Sequence, residues 1–222
     1  MINWSNLKAV LFDLDGTLLN RDQSLASFLE HQYQRIPAFH AMGKQAFIRR
    51  FVELDQKGYV WKDRVYQSLV EEGQLELDWQ ELLADYVLSF RHHCIGFPGL
   101  IEMLEALKLR NYKLGIITNG FGDFQMNTIR GLGIEGYFDE ILVSEIEGLR
   151  KPDIRIFQLA LQRLGVRPEE AIFVGDHPVN DVEAGMHAGM LGIWKEEDGL
   201  GRPACAALTI RELPELLDMI SA

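Results

Sequence analysis

The fold is decided by residues 9–17, which read Ala-Val-Leu-Phe-Asp-Leu-Asp-Gly-Thr. Four apolar residues lead directly into the acids, as expected of a strand buried in a parallel sheet with a polar crevice at its carboxyl end. Because side chains alternate along an extended backbone, Asp13 and Asp15 point to the same side of it. Neighbouring carboxylates repel each other, so the pair indicates a bound cation or a role in proton transfer.

Further buried strands are predicted where short apolar runs recur, at residues 114–117, 141–143, 171–174 and 191–194. Helical patterns lie between the later runs. Leu100, Leu104 and Leu107 share one helix face at i, i+4 and i+7. Residues 157–164 repeat that spacing and stop at Gly165. This alternation of strands and helices predicts an α/β fold with a doubly wound, Rossmann-like parallel sheet.

Residues 18–97 have a different character, because they carry helical stripes of apolar residues and no convincing buried strand. The prediction is an α-helical domain inserted after the first strand, with residues 1–17 and 98–222 forming the α/β core domain. Near the end of the chain, Thr209 and Glu212 have the spacing of a capping box, which predicts the start of a closing helix.

Three further groups of polar residues follow predicted strands. Thr118 and Asn119 end the second strand, and their hydroxyl and amide groups can donate hydrogen bonds to an anion. Lys151 precedes a predicted helix start and brings a cation close to backbone amides. Asp176 and Asp181 follow the fourth strand, and acids placed there suit a hard divalent cation such as magnesium.

Each of these groups has a plainer interpretation when it is taken alone. Thr-Asn-Gly is a common turn, a lysine is usually a solvated surface residue, and Asp181 could cap the helix that follows it. Their shared position decides between the two interpretations. All four groups, Asp13-Leu-Asp15 included, lie at the carboxyl ends of predicted parallel strands, which is the edge where ligands bind in such sheets. We therefore expect them to converge on one site.

Taken in order, these groups resemble the four motifs of the haloacid dehalogenase-like hydrolases. The resemblance spans residues 10–181 and rests on Asp13-Leu-Asp15-Gly-Thr, Thr118-Asn119, Lys151-Pro152 and Gly175-Asp176-x-x-x-x-Asp181. The inserted helices resemble the C1-type cap of that superfamily. Softer features, among them residues 116–120 and 137–139, resemble the branch of phosphoglycolate phosphatase-like and nucleotidase-like members. The resemblance implies a sheet order of 5-4-1-2-3.

The resemblance also implies a magnesium-dependent phosphomonoester hydrolase, a phosphatase that works through an aspartyl-phosphate. Asp13 would be the nucleophile, and Asp15 would protonate the leaving oxygen and later accept a proton from water. Mg²⁺ would be held by the Asp13 carboxylate, the backbone carbonyl of Asp15 and Asp176. Asp181 would either join the metal site, through water, or pair with Lys151, and both options stay open.

For the substrate, the resemblance assigns catalytic roles to Thr118 and Lys151, and substrate binding to these two residues and Asn119. The expected partner is a small phosphorylated metabolite: a nucleoside monophosphate, phosphoglycolate or a sugar phosphate. A phosphomutase of the same fold is one alternative, and it would pass the phosphoryl group to a sugar instead of water. A phospho-accepting receiver domain is another, and it would hold the phosphoryl group as a signal.

Composition limits the remaining possibilities. Apolar residues make up 47% of the 222-residue chain, enough for a substantial core, and the formal net charge is −11. A chain this acidic is a poor partner for nucleic acid polymers or anionic membranes. Cys94 and Cys205 lack metal-type spacing and residues 1–8 lack signal-peptide character, so we expect a cytoplasmic protein. The sequence leaves the oligomeric state open.

Overall fold

The computed structural model describes residues 4–196 and 199–220. These residues contain a six-stranded parallel sheet with the order β3-β2-β1-β4-β5-β6. The strands are β1 (Ala9–Phe12), β2 (Lys113–Thr118), β3 (Glu140–Val143), β4 (Ala171–Gly175), β5 (Leu191–Lys195) and β6 (Leu208–Ile210). Helices connect the consecutive strands from β1 to β5, so the predicted doubly wound α/β fold is confirmed. The predicted order of the first five strands is also confirmed, and β6 extends the sheet beyond β5.

The helices are α1 (Arg21–Arg35), α2 (Lys44–Asp55), α3 (Lys62–Gly73), α4 (Trp79–Ser89), α5 (Leu100–Leu109), α6 (Gly122–Gly131), α7 (Ser144–Glu147), α8 (Ile154–Leu164), α9 (Ala184–His187) and α10 (Glu215–Met219). Within the described residues, no helix combines the length and the apolar character needed to cross a membrane. Residues 1–3, the start of the segment without signal-peptide character, lie outside the described residues.

Strand β1 lies in the interior of the sheet because it is apolar towards both faces. All of its residues are 0% exposed. Phe12 is in register with Ile116 of β2 on one side and with Val174 of β4 on the other. This register aligns the carboxyl ends of three strands at the edge where the predicted site residues follow.

Helix α8 shows how the local sequence determines where a helix begins and ends. It begins after Asp153, whose side chain accepts a hydrogen bond from the Arg155 N–H at 3.0 Å. It ends at Gly165, which has a φ of 63° and terminates the helix in a left-handed conformation. Its apolar face is buried against the sheet, where the ring centroids of Phe157 and Phe173 lie 4.9 Å apart. The predicted helix and its stop are confirmed.

The closing segment differs from the sequence prediction. Thr209 does not cap a helix but lies in β6, in register with Trp194 of β5. The last helix, α10, begins instead at Glu215, whose carboxylate accepts the N–H groups of Arg211 and Glu212 at 3.3 and 3.2 Å. The capping-box prediction is wrong because a three-residue edge strand carries too little pattern to be recognised.

Residues 21–94 form a compact helical unit, and the described residues outside this range form a second unit that contains the sheet. Every residue of the helical unit is described, and none of them belongs to a strand. The core of this unit is rich in aromatic side chains. Phe39 stacks on Phe47 with ring centroids 4.3 Å apart, and Phe28 meets Tyr86 edge-on at 5.1 Å.

The helical unit begins and ends a few residues inside the predicted range of 18–97. The chain segments on either side of it pair with each other. The Asn20 N–H donates to the Ile95 carbonyl at 2.8 Å, and the Phe97 N–H donates to the Leu18 carbonyl at 3.0 Å. These segments therefore belong to the sheet unit, which the sequence did not indicate because backbone pairing leaves no trace in the apolar pattern.

Candidate active site

The predicted site residues come from the carboxyl ends of neighbouring strands and from the loop before α8. Asp13 directly follows β1, Thr118 is the last residue of β2, and Asp176 directly follows β4. The Asp13 N–H donates to the Val174 carbonyl at 2.9 Å, so the chain stays paired with β4 up to the first acid. Lys151 lies in the loop that leads into α8. The strand order thus brings together residues that are far apart in the sequence.

A buried lysine joins two of the acids. Lys151 Nζ lies 2.6 Å from Asp13 Oδ1 and 2.6 Å from Asp181 Oδ1. The exposed fractions are 3% for Lys151, 1% for Asp181 and 7% for Asp13. An ammonium at such a depth requires paired negative charges, so the interpretation of Lys151 as a solvated surface residue is wrong. Of the two roles that the sequence left open for Asp181, the structure shows the pairing with Lys151.

Three carboxylates converge beside this ammonium. Oxygens of Asp13, Asp176 and Asp181 all lie within 4.8 Å of one another. When all three are ionised, negative charge exceeds positive charge at this point, and hard oxygen donors in this arrangement fit Mg²⁺. Gly16, with a φ of +84°, lies so close to Asp176 that a Cβ would overlap the carboxylate. The turn after Asp15 therefore closes tightly around the acids and requires glycine.

The charges and the burial of the cluster shift the pKa values of its members. Burial raises the pKa of the Asp13 carboxyl from 3.8 to about 7; Lys151 opposes this rise, and the charges of Asp181 and Asp15 add to it. Burial alone would lower the pKa of Lys151, but Asp13 and Asp181 outweigh it and hold that pKa above its ordinary value. Lys151 is therefore a permanent cation, whereas Asp13 gains a proton near neutral pH unless a further cation is present.

Asp15 is held by a residue that the sequence analysis missed. Gln125, in α6 and 2% exposed, donates from Nε2 to Asp15 Oδ2 at 2.7 Å and to Thr118 Oγ1 at 2.6 Å. It joins the second acid of the first motif to the hydroxyl of the second motif. The available signal was modest: Gln125 shares the buried face of α6 with Thr128 and Ile129, and a polar side chain there needs partners.

Asn119 clamps the loop that carries Lys151. Its Nδ2 donates to the Lys151 carbonyl at 3.0 Å, and its Oδ1 accepts from the Lys151 N–H at 3.0 Å. The next residue, Gly120, donates its N–H to Ser144 Oγ at 3.0 Å. Because both polar atoms of the Asn119 side chain are engaged, the geometry favours a positioning role for it. Direct contact between Asn119 and a substrate stays a prediction.

Asp181 does not cap the helical segment that surrounds it. It lies within a helical turn, Pro178–Glu183, whose first N–H groups are capped by His177. The Nδ1 of His177 accepts from the N–H groups of Val179 and Asn180 at 3.1 and 3.0 Å. Asp181 Oδ2 instead accepts the His177 N–H at 2.9 Å, and Oδ1 is left to Lys151. The capping interpretation of Asp181 is therefore wrong.

Comparison with known proteins agrees with this arrangement. The family described as haloacid dehalogenase-like hydrolase matches residues 10–194. A phosphoserine phosphatase of Thermus thermophilus is 31% identical over 158 residues, which make up 69% of this chain and 64% of that protein. A glyceraldehyde 3-phosphate phosphatase of Pyrococcus furiosus is 36% identical over 128 residues, 55% of this chain and 53% of that protein. The chain thus spans between 53% and 64% of the length of these relatives.

A solved structure extends the comparison to the whole fold. The HAD-hydrolase YfnB from Bacillus subtilis, bound to magnesium, superposes with a TM-score of 0.75 at 25% identity, and the match covers 97% of this chain and 99% of that one. The family match alone covers far more than half of the sequence. The chain therefore belongs to the haloacid dehalogenase-like hydrolases.

Proposed function

We propose that this protein is a Mg²⁺-dependent phosphomonoesterase that works through an aspartyl-phosphate on Asp13. The observation that carries the proposal is the buried Lys151 ammonium, 2.6 Å from both Asp13 and Asp181, with Asp176 in the same cluster. A nucleophilic carboxylate is repelled by a dianionic phosphate, so cations must be in place before it attacks. Lys151 is one such cation, and the carboxylates around it suit a second.

The proposed metal ligands are Asp13, Asp176 and the backbone carbonyl of Asp15. Mg²⁺ bound there would supply the charge that offsets repulsion between Asp13 and the phosphoryl group. Both oxygens of Asp181 have partners, Lys151 Nζ and the His177 N–H, which favours a supporting position behind the ligands. A cation at this point also favours the ionised form of Asp13, which is the form that can act as a nucleophile.

In the proposed first step, an Asp13 oxygen bonds to phosphorus while the bond between phosphorus and the leaving oxygen breaks. Asp15 gives its proton to that oxygen, and the alcohol departs. In the second step, water attacks phosphorus, Asp15 takes a proton from the water, and the bond to Asp13 breaks to release inorganic phosphate. Lys151 stays beside Asp13 as a cation, and the Thr118 hydroxyl donates to a phosphoryl oxygen.

The proposed substrate is a small phosphorylated metabolite. The two curated relatives are named for phosphoserine and glyceraldehyde 3-phosphate, both small phosphomonoesters. The net charge of −11 also supports a small substrate, because it disfavours a nucleic acid polymer. Residues 18–97 are proposed to act as a C1-type cap that selects the substrate. Nucleoside monophosphates, phosphoglycolate and sugar phosphates belong in the same screen.

A substrate screen tests the proposal. Release of inorganic phosphate is measured from a panel of phosphomonoesters with Mg²⁺, with a chelator, and after Mg²⁺ is added back. We expect turnover that the chelator abolishes and Mg²⁺ restores. We also expect a phosphorylated protein that hydroxylamine cleaves, as it cleaves acyl phosphates, and that Asp13→Asn does not form. A panel without a hydrolysed member, or turnover indifferent to the chelator, would contradict the proposal.

The phosphomutase alternative is tested with the same panel. Sugar phosphates are incubated with Mg²⁺ and followed by phosphorus NMR, which distinguishes free phosphate from phosphate on a second sugar carbon. Release to water as the main product favours the phosphatase. Transfer to a sugar hydroxyl that outpaces release would favour the mutase.

A further inference from the structure

Gln125 occupies a place that the proposed mechanism does not yet use. Its amide nitrogen contacts Asp15 Oδ2 at 2.7 Å, Thr118 Oγ1 at 2.6 Å and the Asn119 carbonyl at 3.4 Å. The side chain is 2% exposed, so water does not compete for these contacts. A Cβ at Gly120 would overlap the Gln125 side chain, which shows how closely the loop after β2 packs on it. One buried side chain therefore links two of the four motifs.

The chemistry of the partners fixes the orientation of this amide. The Asp15 oxygen in this contact, Oδ2, is the acceptor, so it faces the amide nitrogen of Gln125 and not its oxygen. The same NH₂ group donates to the Thr118 oxygen, so the threonine hydroxyl accepts there and keeps its own hydrogen for another acceptor. Thr118 thus presents a donor, which is what a phosphoryl oxygen requires.

We propose that Gln125 is a positioning residue that fixes the side chains of Asp15 and Thr118 relative to each other, so that the proton donor and the phosphoryl-binding hydroxyl meet the same substrate. This inference rests on the proposed phosphatase function. The bridge removes rotational freedom from both side chains before the substrate binds. A catalytic group misplaced by about 1 Å can lose roughly 10²-fold in rate, so the loss of the bridge has a measurable kinetic effect.

Leaving-group dependence separates this role from a merely structural one. Proton delivery by Asp15 matters for an alkyl phosphate, whose alkoxide leaves poorly, and matters little for p-nitrophenyl phosphate, whose nitrophenolate leaves without a proton. We expect Gln125→Met to lower kcat/KM, which reports the first step and not the shared hydrolysis of the aspartyl-phosphate, by about 10²-fold for the best alkyl phosphate of the screen. For p-nitrophenyl phosphate we expect a fall of less than about tenfold, from the displaced Thr118 alone.

Two further variants complete the experiment. Gln158 lies exposed in α8, so Gln158→Met makes the same chemical change away from the site and is expected to leave both substrates unaffected. Gln125→Glu keeps the shape of the side chain but sets a carboxylate against Asp15, and we expect the same selective loss from it. Thermal unfolding and Mg²⁺ titration of each variant report whether the fold and the metal site are intact.

The outcomes are separable. If the wild-type protein turns over and the Gln125 variants lose kcat/KM equally on the two substrates, or not at all, the positioning role is overturned. If the wild-type protein hydrolyses neither substrate with Mg²⁺, the proposed function fails instead. A loss on the alkyl phosphate that clearly exceeds the loss on p-nitrophenyl phosphate supports the inference.

Discussion

Lys151 in the sheet unit and Lys62 in the helical unit are both buried beside carboxylates, and their surroundings differ. Lys151 has a cluster of three acids around it. Lys62, 2% exposed, pairs with the fully buried Asp55, which also accepts from Arg21 at 2.6 Å. The first cluster therefore gathers acids around one ammonium, and the second gathers cations around one carboxylate.

The difference lies in the sign and the amount of unbalanced charge. A buried ion pair is by itself weak grounds for a functional site, because structural pairs occur in protein interiors as well. An excess of carboxylates is different, since it is costly until a further cation arrives. Within residues 4–196 and 199–220, only the cluster around Lys151 brings three acidic ligand atoms together. The comparison predicts chemistry at Lys151 and stability at Lys62.

The largest effect is expected from Asp13→Asn, which removes the proposed nucleophile and one metal ligand while keeping the side chain's shape. Turnover should fall by roughly 10⁴-fold or more, the scale seen when a nucleophile is lost from a covalent mechanism. Phosphate release from the best substrate measures it, and circular dichroism checks the fold. Turnover within tenfold of the wild type would show that Asp13 is not the nucleophile. It would also contradict the prediction of chemistry at the cluster around Lys151.

The same substitution at both lysines tests the comparison directly. Lys151→Met should lower turnover by about 10²- to 10³-fold, because a preorganised cation is lost from beside the phosphoryl group. Lys62→Met should leave turnover within about twofold but lower the free energy of unfolding by about 3 kcal/mol, because Asp55 loses a buried partner. Steady-state kinetics and urea unfolding measure the two effects. Equal kinetic losses would show that the clusters do not differ in function.

Gly16→Ala sharpens the description of the acidic cluster. The alanine would have to adopt a φ of +84°, which is unfavourable for a residue with a Cβ, and its Cβ would overlap the Asp176 carboxylate. We therefore expect Mg²⁺ to bind about tenfold more weakly. Calorimetric titration measures the affinity. Gly133 is a matched control, because its φ is +70° and a Cβ there has no neighbour within 4 Å. If Gly133→Ala weakens Mg²⁺ binding equally, backbone strain and not the displaced acid is responsible.

The smallest effect concerns pH. Burial raises the pKa of Asp13 to about 7, so below that pH the metal-free protein holds a proton that Mg²⁺ must displace. The apparent affinity for Mg²⁺ should therefore fall by up to about tenfold between pH 7 and pH 6. A raised carboxyl pKa also makes the metal-free fold less stable as pH rises from 3.8 towards 7, and Mg²⁺ should reverse this. Affinity that is constant over this range would contradict the shift.

The sheet unit was largely predictable because strands buried on both faces leave continuous apolar runs. Residues 9–12 and 171–174 are such runs, and both became strands. Strand β6 was not predictable, since its three residues have only two strongly apolar members around Thr209. The strand order came from the resemblance to a family, because spacing along a chain does not say which strands pair. The paired segments around the helical unit were missed for the same reason.

The site was predictable to the extent that its residues stand at strand ends. Asp13 and Thr118 follow apolar runs, so a one-dimensional pattern points to the edge where ligands bind. Asn119 was named from the sequence, but its contacts and those of Gln125 are hydrogen bonds to residues elsewhere in the chain, and such contacts exist only once the fold is formed. The capping interpretation of Asp181 failed because the sequence does not indicate which end of a helical turn faces the site.

Asn119 and Gly120 form an Asn-Gly step, the dipeptide most prone to deamidation, because the glycine nitrogen can attack the amide carbon and expel ammonia. In this protein that nitrogen donates to Ser144, and the amide is held at both ends by the Lys151 main chain. Deamidation would replace the amide by a carboxylate and remove the donor to the Lys151 carbonyl. The contacts that hold the lysine loop therefore also slow the deamidation of Asn119. As Asn119 deamidates during storage, the catalytic activity of the protein should decline with it.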